Sequence, residues 1–423
     1  METECKPLLF TQTRRCKNLA LRFHSSAETM EPTNICCNKL GSVYNIKYIF
    51  PKAIRHDVVS LSLLKSNIQK MRIAQVVSLQ ESVPPKGKNG LEFMVHYLTE
   101  ELVRRGHQVT LFATKDSKTS ARLVDVLPFP AARRRLFSWG GMDYSLAAMT
   151  KAAEMADEFD VIHTHIGSSA FYFADLIKTP IVETIHSPIH KVPKKYLLKK
   201  KLFNKYSKDT IRRYKKIQHI FVSKNQMNSS SLKISGRVIH NGISLEDFNF
   251  KKKSGDYFVY LGYITKNKGA HIAAQAARWA RVNLKLAGSY KGCERYFEEK
   301  VEPFLKKGKI EYVGVASPAK RNRLLGGAKA ILVPVQWEEP FGLIMIEAMA
   351  CGTPVIGFNK AAVPEIVVDG KTGFVVEDMR KMVSAMKKTD QINRADCRKH
   401  IEKNFSVEKM VSEYEKVYER MKK

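Results

Sequence analysis

From Met71 onwards, short apolar runs alternate with longer stretches of helical period, the pattern of an α/β chain built on parallel sheets. The run Met71-Arg72-Ile73-Ala74-Gln75-Val76-Val77-Ser78-Leu79 reads as a first buried strand. A helix is predicted from about Leu91 to Arg105, stopped by Gly106. Further strands are predicted at 109–113, 160–163, 181–185, 220–222 and 237–239, and the turn Asn241-Gly242-Ile243 closes this first set. The polar run 249–256 reads as a linker. A second set follows at 257–261, 284–287, 310–313, 330–335, 354–357 and 373–376, with helices between them that begin with 270–280. The last stretch, 394–423, reads as helical and amphipathic. Residues 1–70 stand apart, with no sustained helical or strand period and four of the seven cysteines. They read as a disordered extension, an organelle-targeting segment or translation from an upstream start. Glu2, Glu4, Glu28 and Glu31 count against a transit peptide, which is acid-poor.

Composition refines this picture. A chain of 423 residues that is 44% hydrophobic can fill two or three domain cores. No stretch approaches the ~20 apolar residues of a membrane span, and no secretory leader pattern opens the chain. Cys5, Cys16, Cys36, Cys37, Cys293, Cys351 and Cys397 form no C-x-x-C pair and lack histidines at zinc spacing, so they read as free thiols in a reducing compartment. Net charge is +31, which points to polyanionic partners. The densest basic stretch runs between Lys191 and Lys216, where Tyr196, Leu197, Leu198, Leu202, Phe203 and Tyr206 are interleaved with lysines. It reads either as a helix lying on an anionic membrane or as a solvated helix whose apolar stripe packs on its own domain. No zinc-finger, K-homology or RNA-recognition signature is present, so nucleic acid is not an expected partner. The expected location is cytoplasmic, with peripheral contact at the inner membrane surface left open.

The candidate chemistry follows the apolar run 330–335. The segment Trp337-Glu338-Glu339-Pro340-Phe341-Gly342-Leu343-Ile344-Met345-Ile346-Glu347 carries Glu339 and Glu347 with seven residues between them. One carboxylate is predicted at a strand's C-terminal end and the other about one turn into the next helix. In open α/β sheets that crevice binds ligands. Gly342 permits close backbone approach, and the N–H groups of a helix start suit a phosphate. A carboxylate inside the helix can grip vicinal hydroxyls, as acidic residues grip ribose in dinucleotide folds. The pair therefore suggests a sugar-nucleotide site. No D-x-D occurs in the chain, so a divalent metal bridging a diphosphate is not expected.

The words around this pair, W-E-E-P-F-G-L-I-M-I-E-A-M-A-C-G-T-P-V-I-G-F and then V-P-E-I-V-V-D-G-K-T-G-F-V-V, resemble the glutamate-x7-glutamate motif of retaining glycosyltransferases in family 4. These have the GT-B fold and belong to the glycogen synthase and mannosyltransferase-like superfamily. The resemblance runs from about Met71 to Lys423. The words A-R-W-A-R-V-N-L-K-L-A-G, E-Y-V-G and L-L-G-G-A-K-A-I-L-V-P-V-Q-W-E-E-P-F-G are most similar to the branch of avilamycin-type and UDP-glucose:tetrahydrobiopterin glucosyltransferases. The resemblance implies two Rossmann-like, doubly wound domains facing across a cleft. Residues 71–248 would be the acceptor domain, 249–256 the linker and 257–400 the nucleotide-sugar domain. A helix over 401–423 would cross back onto the first domain. The implied activity is metal-independent transfer of a hexose, glucose first, from a UDP-sugar to an acceptor that the sequence does not identify. No cofactor is implied, since the UDP-sugar is a substrate.

The resemblance also assigns roles. Lys268, flanked by Gly262 and Gly269, matches the lysine that contacts the diphosphate. Glu339 would bind the sugar hydroxyls and Glu347 the ribose diol. The backbone of Phe341, Gly342 and Leu343 would meet the sugar and phosphates, and Gly90 would present its N–H to the donor phosphate. His186 would touch the donor sugar or its β-phosphate and is also assigned to the acceptor side with His165, itself an acceptor-side or supporting residue, both facing the cleft. Asn225 would line the cleft as well. Glu339, Lys268 and His186 are the expected catalytic residues, and retention would proceed by front-face attack. Two departures stand out. Tyr263 occupies the place of an arginine that usually follows the first glycine, with Lys266 a possible replacement. Asn89-Gly90 stands where two adjacent glycines are usual, though Asn tolerates left-handed backbone. These departures leave a second expectation open, a nucleotide-sugar binding protein with weak catalysis.

Overall fold

The computed structural model describes residues 35–40, 43–48, 69–86, 90–134, 140–187, 217–229, 235–305 and 308–422. Asn89 and the basic segment between Lys191 and Lys216 lie outside the described residues. The chain divides into two compact units, 1–69 and 70–423. In the first unit, β1 (Ile35–Leu40) pairs antiparallel with β2 (Val43–Tyr48). The apolar pattern did not mark these two strands. The signal was short: Val43, Tyr44, Ile46 and Tyr48 favour a strand.

In the second unit, β3 (Arg72–Val76), β4 (Gln108–Thr114), β5 (Arg122–Leu127), β6 (Val161–Thr164), β7 (Ile181–Ile185), β8 (Ile217–Phe221) and β9 (Arg237–Val238) form one parallel sheet. Its order is β5-β4-β3-β6-β7-β8-β9. A second parallel sheet holds β10 (Phe258–Leu261), β11 (Leu284–Ala287), β12 (Ile310–Tyr312), β13 (Ile331–Val333), β14 (Val355–Phe358) and β15 (Gly373–Val376), in the order β12-β11-β10-β13-β14-β15. Each sheet reverses its winding beside its first strand, between β3 and β6 and between β10 and β13. That is the topological switch point where doubly wound sheets open a crevice. Both Rossmann-like domains are as the resemblance implied. Among the described residues of this unit, the one strand that the apolar pattern did not mark is β5. It is a partly exposed edge carrying Arg122 and Asp125, so its apolar run is broken.

Helices cover the sheets by helical-period contacts. α1 (Gly90–Arg104) buries Met94, Val95, Leu98 and Leu102, and α2 (Gly140–Glu154) buries Ala148, Met149 and Ala152. α3 (Lys224–Ser229) follows β8. In the second domain α4 (Ala270–Ala280) presents Ala270, Ala273, Ala274 and Ala277 to the core, small enough to lie close on the sheet. α5 (Pro318–Gly327), α6 (Leu343–Ala350) and α7 (Met379–Met386) also belong to that domain.

The terminal stretch is two helices, α8 (Arg394–Asn404) and α9 (Val407–Met421), rather than one continuous run. The break has a local cause. Ile243 inserts beside it, donating its N–H to the Phe405 carbonyl at 3.0 Å and accepting from Val407 N–H at 3.0 Å. The Ser406 hydroxyl then caps α9 by accepting from the Lys409 N–H. α8 stays on the second domain, where the Arg394 guanidinium donates to the carbonyls of Lys251, Gly326 and Ala328. α9 crosses to the first domain and buries Met410, Val411, Tyr414, Val417 and Tyr418 among Met71, Ile73, Leu98, Val109 and Val161. Cys293, Cys351 and Cys397 are free thiols. Among the described residues no helix is long and apolar enough to cross a membrane.

Candidate active site in the interdomain cleft

The C-terminal ends of the two sheets face each other across a cavity of about 420 Å³. Its floor on the second domain comes from the loops after β10 and β13 and from the start of α6. β13 ends at Val333, so Glu339 sits in the loop beyond the strand rather than at its end. The loop leads to Gly342, whose φ of 89° is left-handed and which precedes α6. A side chain there would be strained, and its Cβ would come 2.8 Å from the Met345 methyl. Gly269 does the same for α4: at φ 76°, a Cβ would lie 2.1 Å from the Pro334 carbonyl oxygen. That close approach brings the Lys268 segment against the end of the β13 loop.

Two carboxylate–cation pairs result. The Lys268 ammonium pairs with Glu339 Oε2, which also accepts from Trp337 Nε1 at 2.7 Å. Lys268 Nζ lies 5.3 Å from the Trp337 ring centre. Glu347, one turn into α6, is buried, and its Oε1 accepts from Arg321 on α5 at 3.2 Å. Burial pushes the Glu347 carboxyl above the usual carboxylate range, and the Arg321 charge opposes that shift. Arg321 also stacks on Phe93 of α1, 5.6 Å from its ring centre, so it touches both domains. The motif reading did not include Arg321. Its only sequence signal was a basic residue in the first turns of a helix, which in a chain with 72 Lys and Arg says little.

The first domain contributes Gly90, His186 and the ends of β7 and β8. Gly90 opens α1 and lies against Leu343 at the start of α6. Gly262 and Tyr263 line the cavity after β10, where the Tyr263 side chain is half-exposed. Phe341, Gly342 and Leu343 line it too. His165 does not face the cleft. It is 4% exposed and stands behind His186, with Nδ1 2.9 Å from His186 Nε2 and Nε2 2.9 Å from Gln75 Oε1. The reason is the alternation along β6 and its loop, which turns His165 inward against β3. Burial pushes His186 down to about 4 and His165 well below the usual imidazole range, the neighbouring histidines adding to the latter. Both are therefore neutral.

Across the cleft mouth, the Glu365 carboxylate accepts the N–H groups of Lys224 and Asn225 at 2.8 and 2.6 Å and meets His240 Nε2 at 3.2 Å. Asn225 donates to Glu338 at 2.8 Å, so its side chain ties the domains together rather than lining the cavity. Among the described residues no group of three His, Cys, Asp or Glu side chains converges as a metal site.

Known proteins match this chain in both sequence and fold. Residues 88–247 match the glycosyltransferase family 4 model, and 244–404 match that of glycosyl transferases group 1. Two uncharacterised glycosyltransferases of Methanocaldococcus jannaschii are 28% and 27% identical, over 63% and 70% of this chain and 77% and 83% of theirs. Among solved structures, sucrose-phosphate synthase from Thermosynechococcus elongatus superposes with a TM-score of 0.67 at 19% identity, covering 84% of this chain and 99% of that one. AviGT4, a glycosyltransferase involved in avilamycin A biosynthesis, gives 0.61 at 20% identity, covering 83% and 98%. Anabaena HepE, solved with UDP and glucose, gives 0.61 at 15% identity, covering 83% and 100%. At these identities the structural likeness establishes the fold. With two adjoining family matches laid over the two domains that frame the cleft, the chain belongs to the GT-B glycosyltransferases, its first domain of family 4 and its second of group 1.

Proposed function

We propose that this enzyme transfers a hexose, glucose, from a UDP-sugar to an acceptor held by the first domain, with retention and without a metal or cofactor. The observation that carries the reading is the convergence of two carboxylate–cation pairs, Lys268–Glu339 and Arg321–Glu347, on one cavity at the ends of both sheets. That a protein of the same fold was solved with UDP-glucose supports a nucleotide-sugar donor. The motif resemblance to the avilamycin-type and tetrahydrobiopterin glucosyltransferase branch supports glucose.

In this reading Glu347 grips the ribose diol, and Arg321 opposes the effect of burial on its carboxyl. The opening turn of α6 and the Lys268 ammonium receive the diphosphate. An ammonium has three donors, so Lys268 can hold Glu339 and a phosphate oxygen together. Glu339 accepts from sugar hydroxyls, Gly90 offers backbone to the phosphate, and His186 stands on the sugar side. The bond from the anomeric carbon to phosphate oxygen breaks as the acceptor oxygen bonds to that carbon from the same face. The acceptor's proton passes to the departing β-phosphate oxygen. Lys268 and the helix start meet the charge that grows there, where preorganised electrostatics have most effect. The net charge of +31 supports attraction to anionic surfaces, with the segment between Lys191 and Lys216 as the candidate contact.

A panel of UDP-, GDP- and ADP-sugars, with turnover and binding measured separately, tests the reading. UDP-glucose should turn over and yield an α-linked product. Tight binding with no turnover of any donor would sink the enzymatic role, and preference for a GDP or ADP donor would sink the UDP assignment.

A further inference from the structure

Behind His186 a row of polar side chains runs through the core of the first domain to the C-terminal helix. His186 Nε2 lies 2.9 Å from His165 Nδ1, and His165 Nε2 lies 2.9 Å from Gln75 Oε1. Gln75 Nε2 reaches the Tyr418 hydroxyl at 3.4 Å, and that hydroxyl lies 2.7 Å from His163 Nδ1. His163 Nε2 meets Thr184 Oγ1 at 2.7 Å, which in turn meets the Tyr414 hydroxyl at 2.9 Å. Strands β3, β6 and β7 supply Gln75, His163 and Thr184, and α9 supplies both tyrosines. From His165 inward, every member is 4% exposed or less. Burying so many polar groups is unfavourable unless each is satisfied, and an apolar row would fill the same space without that demand.

The order of donors along the row follows from the orientation of the Gln75 amide. Burial leaves all three imidazoles neutral, and a neutral imidazole has one N–H and one lone pair. An amide oxygen only accepts, so Gln75 Oε1 places the His165 proton on Nε2. His165 Nδ1 then accepts, and His186 must donate to it from Nε2. The second ring nitrogen of His186, Nδ1, is left with a lone pair. On the other side, Gln75 Nε2 donates to the Tyr418 oxygen, which leaves the Tyr418 O–H to donate in its turn. The opposite sense would require the Gln75 amide to be turned end for end.

We infer that Gln75 and Tyr418 are positioning residues that fix the ring tautomer of His186, so that the first-domain wall of the cleft offers a hydrogen-bond acceptor to a substrate hydroxyl. An acceptor nitrogen repels a phosphate oxygen and pairs with an O–H group. Of the two partners the resemblance allowed for His186, donor sugar or β-phosphate, this selects the sugar. Phosphate recognition then falls to Lys268 and the start of α6 on the opposite wall. The choice of substrate rests on the nucleotide-sugar reading; the tautomer does not. Its control lies far away in sequence, since Tyr418 is 343 positions from Gln75.

Imidazole nitrogen NMR of the full-length protein, labelled at histidine and assigned with His186→Gln, reads the tautomer directly. Wild-type His186 and His165 should both carry their proton on Nε2. A wild-type His186 protonated on Nδ1 would overturn the inference. Tyr418→Phe removes one hydroxyl and keeps the ring. It should give mixed tautomers at His186 and lower kcat/KM for UDP-glucose by about tenfold, the scale of one hydrogen bond. Affinity for UDP, which has no sugar, should stay within about twofold. Equal loss for UDP and UDP-glucose, or an unchanged tautomer and unchanged kinetics, would reduce the row to a packing role and overturn the proposal. If wild-type protein binds no UDP-sugar, the donor reading fails, while the nitrogen spectrum still decides the tautomer.

Discussion

At the ends of β10 and β13, Lys268 and Glu339 meet as an ion pair that solvent reaches, with side chains 31% and 15% exposed. At the ends of β6 and β7, His165 and His186 share a hydrogen bond between neutral rings backed by a buried polar row. The two walls have the same topology and face the same cavity, yet they recognise by different means. A cation near water keeps its charge at modest desolvation cost and can meet a diphosphate. A deeply buried imidazole sheds its charge and keeps direction instead, because each neutral ring has one donor and one acceptor. Arg321 and Glu347 lie between these cases: burial favours the neutral carboxyl, and the guanidinium opposes that shift without cancelling it. The contrast shows that the doubly wound sheet supplies only a place at its switch point. The character of each wall follows from how deeply its polar groups are set.

Loss of the exposed cation should break the comparison most severely. Lys268→Ala removes the group that meets charge on the leaving phosphate, so kcat should fall by ~10²-fold or more. Substrate affinity should change less, because the charge grows in the transition state. Near-normal kcat would leave the charged wall without its assigned task.

A smaller effect is expected at the intermediate pair. Glu347 must be ionised to accept from a ribose diol, and its carboxyl is raised by burial. UDP affinity should therefore be full above that raised value and decline as pH falls through it, starting at less acidic pH than an ordinary glutamate near ~4.3. Arg321→Met removes the charge that opposes burial, so the decline should begin at still higher pH and UDP should bind several-fold more weakly at neutrality. Calorimetric titration of UDP from pH 8 to pH 5 checks both. An unmoved acid limb in the variant would separate Arg321 from Glu347.

The smallest effect concerns Tyr263, half-exposed on the charged wall where an arginine is usual in the resembled family. Tyr263→Arg should sharpen the contrast by adding a phosphate cation there, raising donor affinity or rate by a few-fold. A decrease in steady-state kcat/KM would mean that the wall is arranged around the tyrosine.

Much of this was legible beforehand because it is local. The buried β-branched runs at Ile73, Val109, Val161, Ile181, Val259, Ile331 and Val355 marked strands that do form. Glu339, Gly342 and Glu347 sit within one strand–loop–helix passage, so their spacing was enough to place both carboxylates at one cavity. Lys268 was found by the resemblance, with Gly262 and Gly269 in support. Other features depend on distant segments. Arg321 is 26 positions from Glu347, and only the packing of α5 beside α6 joins them. The break at Phe405 and Ser406 comes from Ile243, which no helical period could foresee.

The sequence by itself determined two parallel-sheet domains, their glycosyltransferase family and the residues of the charged wall, because those rest on short-range patterning and contiguous motifs. The tertiary structure alone decided that His165 turns inward while His186 faces the cavity, and that Gln75 and Tyr418 stand behind them. The physical reason is that a histidine's exposure, protonation and tautomer are properties of its surroundings. Those surroundings are assembled here from β3, β6, β7 and a terminal helix folded back from the far end of the chain.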